Sequence, residues 1–215
     1  MMLSVLGLAT LAAFTASNQP QSPTTLVWFG DGSRSSVVVS VSRVLASPLT
    51  ATIPISSARV ITGKAAVAPV AVEARMNAGA LRSDDARRDA DLRGSEFFDV
   101  ARYPTIRFAG DRVTATGPNS FRVEGALTMR GITHLMTLDA RVAGHRRDAR
   151  GTERARYEAR GHFHRSDFGM TYGEGLVGDD VTLQVVLETA RPALVRPVAA
   201  PGAQPPGRRG SQSAR

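Results

Sequence analysis

The sequence predicts an all-β protein of about eight antiparallel strands with one short helix. Two observations carry this. Apolar and polar residues alternate in stretch after stretch, many of them rich in valine, and Gly, Pro and Ser separate the stretches. Only residues 81–93 break that period, and their charges recur four apart, as on a helix face. At 215 residues and 42% apolar content, the chain is long enough for one domain with a sizeable core.

Residues 26–29 (LVWF) open the first strand, and Gly30-Asp31-Gly32 turns it. Residues 36–45 (SVVVSVSRVL) put Val37, Val39 and Val41 on one face. Residues 51–61 and 67–76 repeat the pattern, the latter aligning Val70, Val72, Ala74 and Met76 on one side. The helix follows at 81–93, where Asp84/Arg88 and Asp89/Arg93 are i,i+4 pairs worth a few tenths of a kcal/mol each. Asp84, Asp85, Asp89 and Asp91 lie among arginines there, so charge balance explains them more simply than an acidic metal site.

Beyond the helix come Phe97 and Phe98, a bend at 99–102, and a strand that begins at Tyr103-Pro104 and alternates through Ile106 and Phe108. Pro104 donates no ladder hydrogen bond, which suits a strand's first position. Residues 121–130 turn Phe121, Val123, Gly125, Leu127 and Met129 one way and charged residues the other. After a turn at Gly131, residues 132–142 align His134, Met136, Leu138, Ala140 and Val142. Residues 144–152 read as a polar hairpin tip. Tyr157, Ala159, Gly161 and Phe163 then oppose Glu158, Arg160, His162 and His164, and 181–189 bring Val181, Leu183, Val185 and Leu187 together.

The ends read differently. Residues 1–14 are apolar and uncharged, with the length of a secretory h-region. They predict a signal peptide over 1–17, cleaved near Ala16–Asn18, and an exported protein, periplasmic or secreted. Residues 18–25 read as a linker, 26–190 as the β-domain, and 191–215 as a disordered Arg/Pro-rich tail. The tail holds five arginines and no acid, so the net charge of +8 falls to +3 for residues 1–190. That argues against a nucleic-acid partner. With no cysteine, thiol catalysis, disulfides and thiolate metal sites are excluded.

Strands with one apolar face must hide it, and a sheet closing on itself or two packed sheets would both do so. The inward rows are mostly Val, Ala, Leu and Met, with Gly125 and Gly161 among them. Small residues are expected to leave room, with Met129 and Met136 as adaptable liners. Such an interior binds a hydrocarbon chain by area alone, at about 25 cal/mol per Å².

Three stretches, RDADLRGSEFFDVARYPTIRF at 88–108, GALTMRGITHLMTLD at 125–139 and GHFHRSDFGM at 161–170, together resemble the YceI-like family of lipocalin-like polyisoprenoid-binding proteins. The resemblance is firm over residues 81–189. It implies a lipocalin-like barrel, no enzymatic activity, no cofactor or metal, and a polyprenyl lipid or isoprenoid quinone as ligand. Carried onto matching positions and the inward rows, it makes Phe97, Phe98, Tyr103, Ile106, Phe108, Leu127, Met129, Met136, Phe163 and Phe168 candidate tunnel or mouth residues. Arg88, Arg93, Arg130 and Arg165 are candidates for a polar head group. Asp167 and Gly169 read as parts of a structural corner.

Two other classes compete. His162 and His164 share one side of a strand at a spacing that can chelate Zn²⁺ in a metal-dependent hydrolase, with Glu158 or Asp167 supplying a carboxylate. They fall on the polar face, which makes them surface histidines in the simpler reading. Alternatively, the basic tail and hairpin 145–156 form an interaction module for an acidic partner or, peripherally, an anionic membrane. The valine-rich strand near the N-terminus also offers an edge for pairing two barrels into a homodimer.

Overall fold

The computed structural model describes residues 25–63 and 67–191. The expected signal peptide, most of the expected linker, and the residues beyond Arg191 lie outside the described residues. Nine antiparallel strands form one sheet: β1 (Thr25–Gly30), β2 (Ser36–Arg43), β3 (Ala46–Gly63), β4 (Pro69–Asn77), β5 (Thr105–Gly117), β6 (Ser120–Met129), β7 (Ile132–Arg147), β8 (Glu153–His164) and β9 (Val177–Arg191). The helix α1 (Ala86–Arg93) lies between β4 and β5.

Strands β2 to β9 close into an eight-stranded barrel through the β3–β4 and β2–β9 pairings. Strand β1 is the continuation of β2 rather than an extra stave. It pairs with the far halves of the same two neighbours, Trp28 opposite Val60 on β3 and Gly30 opposite Thr189 on β9. Between them residues 31–35 bulge out in a 3-10 turn capped by Asp31, whose carboxylate accepts from the Ser33 amide. Ser35 Oγ mends the gap by donating to Asp31 O at 2.7 Å, with Glu188 O at 3.3 Å. Since β2 is hydrogen-bonded on both sides, the edge expected for homodimer pairing does not exist.

The inward rows run as the alternation predicts on β6, β8 and β9. On β3 the row changes parity. Ala51, Ile53 and Ile55 face in, then a register shift at Ser56–Ser57 hands the inward side to Ala58, Val60 and Thr62. A shift between Ile61 and Thr62 has the same effect on β4. Pro69 takes the buried place, and Val70, expected inside, is exposed. His134 also continues an inward row, yet it lies at the rim, exposed, with its ring edge-on to Phe168 at 5.3 Å.

The helix is shorter than its charge spacing suggests. Asp85 caps it, accepting from the Arg87 and Arg88 amides, so residues 81–84 stay outside. Ser83 donates its amide and hydroxyl to Asp89 at 2.6 and 2.7 Å, which holds that carboxyl below the usual range. Strand β5 starts at Thr105, two residues later than expected. Pro104 O accepts from Ala78 N at 3.0 Å and Tyr103 N donates to Asp99 O at 2.8 Å, so both residues close the preceding loop.

Gly125 overturns one expectation. A Cβ there would sit 2.4 Å from Ala109 O and 2.6 Å from the Gly110 Cα, both on β5. This glycine lets two strands approach at a tight bend and adds no space to the lumen. Gly161 is similar, its Cβ position being 2.9 Å from Thr137 O.

Candidate functional site: two apolar chambers in the barrel

The lumen divides into two chambers in tandem along the barrel axis. The larger, about 100 Å³, is lined by apolar side chains, Val37, Ile55, Met76, Phe108, Leu127 and Leu183 among them. The second, about 80 Å³, lies towards the end that carries α1. Its walls include Val39, Ala51, Leu92, Phe97, Phe98 and Phe163. The two share strands one inward step apart: Val37 then Val39 on β2, and Leu183 then Val181 on β9. Ile53, buried between Ile55 and Ala51, is part of the partition.

Ten residues were candidates for the ligand wall. Phe108, Leu127 and Met136 line the larger chamber, and Phe97, Phe98 and Phe163 the second. Ile106, Met129 and Phe168 are buried in the surrounding core without lining either chamber, Phe168 with its ring against Phe163 at 5.4 Å. Tyr103 lies outside both, against Gly131 and under the Arg102 guanidinium. Sequence motifs drew attention away from the walls contributed by β3, β4 and β9, such as Ile55, Val60, Ala74 and Leu187. Their only signal was the period-two alternation, which aligned Ala74 and Leu187 on inward rows, while the register shift on β3 obscured Ile55 and Val60.

At the far end the larger chamber meets Tyr157, whose hydroxyl donates to Val67 O at 2.8 Å. Burial pushes its phenol well above the ordinary value, which keeps it neutral. Trp28 lies at the same end, fully buried. Its indole donates to Thr62 Oγ1 at 3.1 Å, and the Arg191 guanidinium stacks over its ring.

Each arginine expected at a head group already bonds to a partner within the chain. Arg165 is buried and donates to four carbonyls: Gly178, Met170, Tyr172 and Val177, at 2.7 to 3.1 Å. Arg93 donates to Gly79 O and Leu81 O at 2.9 and 2.6 Å and pairs with Asp89. Arg130 donates to Ser95 O at 2.7 Å and to Phe97 O. Arg88 pairs with Asp84 on the helix surface. The first three act as struts: backbone carbonyls that no strand or helix satisfies need a donor, and a guanidinium offers five in fixed geometry.

His162 and His164 are exposed on the outside of β8. Their Nδ1 atoms lie 3.1 Å from Asp180 and 3.6 Å from Asp179, which explains them as surface pairs. Among the described residues no group of three or more His, Asp or Glu side chains is placed to hold a metal ion.

The model of the YceI-like domain matches residues 28–189. The chain belongs to the YceI-like family. Curated members show the same relationship. This YceI-like chain is 34% identical to a UPF0312 protein of Enterobacter sp. (strain 638) over 117 residues, 54% of its own length and 60% of the relative's. It is 32% identical to Protein YceI of Salmonella arizonae over 117 residues, 54% and 61% of the two chains. The match thus spans about three-fifths of each relative. Solved structures share the fold: BcnA of Burkholderia cenocepacia aligns at a TM-score of 0.63 with 22% identity, covering 74% of this chain and 98% of that one. A polyisoprenoid binding domain from Saccharophagus degradans aligns at 0.55 with 12% identity, covering 77% and 98%.

Proposed function

We propose that this YceI-like barrel is an exported, non-enzymatic carrier that holds the apolar tail of an isoprenoid lipid along its axis. The observation that carries the reading is the tandem pair of chambers with almost wholly apolar walls. The polyisoprenoid-binding description of a protein with the same fold supports it. Each chamber is smaller than the roughly 150 Å³ cavity that accepts one benzene ring. A long chain therefore requires the partition to open. Met76 and Met136, in the wall of the larger chamber, are the side chains best able to swing aside.

An uncharged head group fits better than a phosphate. Arg93, Arg130 and Arg165 use their guanidinium donors on backbone carbonyls, and moving one to an anion would orphan those carbonyls. This favours an isoprenoid quinone over a polyprenyl phosphate. Organic extraction of the purified protein followed by mass spectrometry tests the reading. Recovery of a lipid with a repeating five-carbon tail is the expected result, and protein that yields no such lipid after incubation with isoprenoid quinone overturns it.

A further inference from the structure

We propose that the helix-bearing end of the barrel docks on a phospholipid bilayer through an apolar rim formed by Val44, Leu45, Tyr172 and Leu176. These side chains are 58%, 103%, 59% and 68% exposed, on a protein whose other large apolar residues are mostly inside. They belong to two neighbouring loops. Val44 and Leu45 form the two-residue tip of the β2–β3 hairpin, and the Val44 amide donates to Leu176 O at 3.0 Å. Tyr172 is in the same connection as Leu176, and its ring packs edge-on against Phe97 at 5.6 Å. Phe97 is itself a wall of the second chamber, so the rim is continuous with the lumen's lining.

Leu45 stands out. Its φ of +54° is a conformation that Gly or Asn adopts easily and leucine does not. A fully exposed leucine at a strained turn gains nothing from its own fold. It acquires a use only when something apolar covers it.

A bilayer suits this surface better than a protein partner. Leu45 projects from a hairpin tip, and a rigid partner would need a pocket cut to it, whereas acyl chains accept any protruding shape. Thr25 and Arg191 lie at the opposite end, and β9 alone carries Arg191 fifteen residues, roughly 50 Å, from the rim. The charges beside the rim are mixed, Arg43 against Glu174 and Asp179, so docking is driven by apolar insertion and resists salt. The inference deepens the carrier reading by giving the ligand a route that avoids water, but the docking itself does not depend on which ligand is carried.

The cysteine-free chain allows a local test. Leu45→Cys and Asn119→Cys, the second at the opposite end of the barrel, each receive an environment-sensitive NBD dye. The full chain is mixed with phosphatidylcholine vesicles, with and without nitroxide lipid. The expected result is a blue shift and nitroxide quenching at position 45 but not at 119, unchanged in 0.5 M NaCl. Leu45→Asn combined with Leu176→Ser should weaken vesicle binding at least tenfold, with the unfolding midpoint kept. Equal response at the two dyes, no response at 45 in vesicle-bound protein, or loss of binding in salt overturns the proposal. Isoprenoid content, measured on the same preparations, reports separately on the carrier reading.

Discussion

The guanidinium of Arg130 donates to the carbonyl of Phe97, tying the β6–β7 hairpin to the loop that roofs the second chamber. Arg130 and Gly131 make the two-residue turn of that hairpin, with φ of +53° and +76°, and the positive φ aims the arginine across the mouth. Arg130→Ala should lower stability by about 1–3 kcal/mol, because the carbonyls of Ser95 and Phe97 lose their donor. Amide exchange should quicken at residues 95–98 ahead of the strands, as measured by mass-resolved hydrogen exchange. Protection there equal to wild type would refute the strut.

Gly125→Ala should cost about 1–3 kcal/mol, since the new methyl would lie 2.4 Å from Ala109 O and β5 would have to move. Urea midpoints measure this. Gly144→Ala, where nothing lies within 4 Å of the Cβ position, is the control and should be close to neutral.

Tyr157 predicts a loss of stability in alkali. Its folded-state pKa is raised by burial, so its contribution is intact below the unfolded value near 10 and declines as pH rises above it. Comparing urea midpoints at pH 8 and pH 11 for wild type and Tyr157→Phe measures the effect. The substitution should flatten the decline while lowering stability at pH 8 by about 1 kcal/mol through the lost bond to Val67 O.

Ala140→Phe should fill the larger chamber, which Ala140 lines. At least a tenfold loss of retained isoprenoid is expected, by extraction and mass spectrometry. His162→Ala with His164→Ala, on the outer surface, should leave retention unchanged.

The alternation of apolar side chains made the strands legible, because each strand obeys its own period. Closure was less so: a sandwich and a barrel impose the same alternation, and only the long-range pairing of β2 with β9 distinguishes them. The parity changes at Ser56–Ser57 and before Pro69 escaped notice because a register shift carries no consistent residue signature. The intrachain bonds of Arg93, Arg130 and Arg165 were illegible for a related reason. An arginine within a family motif looks like a ligand contact, while its use as a donor to unpaired carbonyls depends on where loops distant in sequence come to rest.

The seam at residues 31–35 bears on how such a strand-rich chain escapes fibrillation. Amyloid growth needs an open row of amides and carbonyls as a template, and a closed cylinder presents none. Here the cylinder is interrupted where β1 gives way to β2, and the Ser35 hydroxyl bridges it. The Asp31 amide donating to Glu188 O at 2.7 Å and the Ile55 amide donating to Ser35 O at 3.2 Å hold the same gap, so even the seam offers a fibril little open backbone to copy.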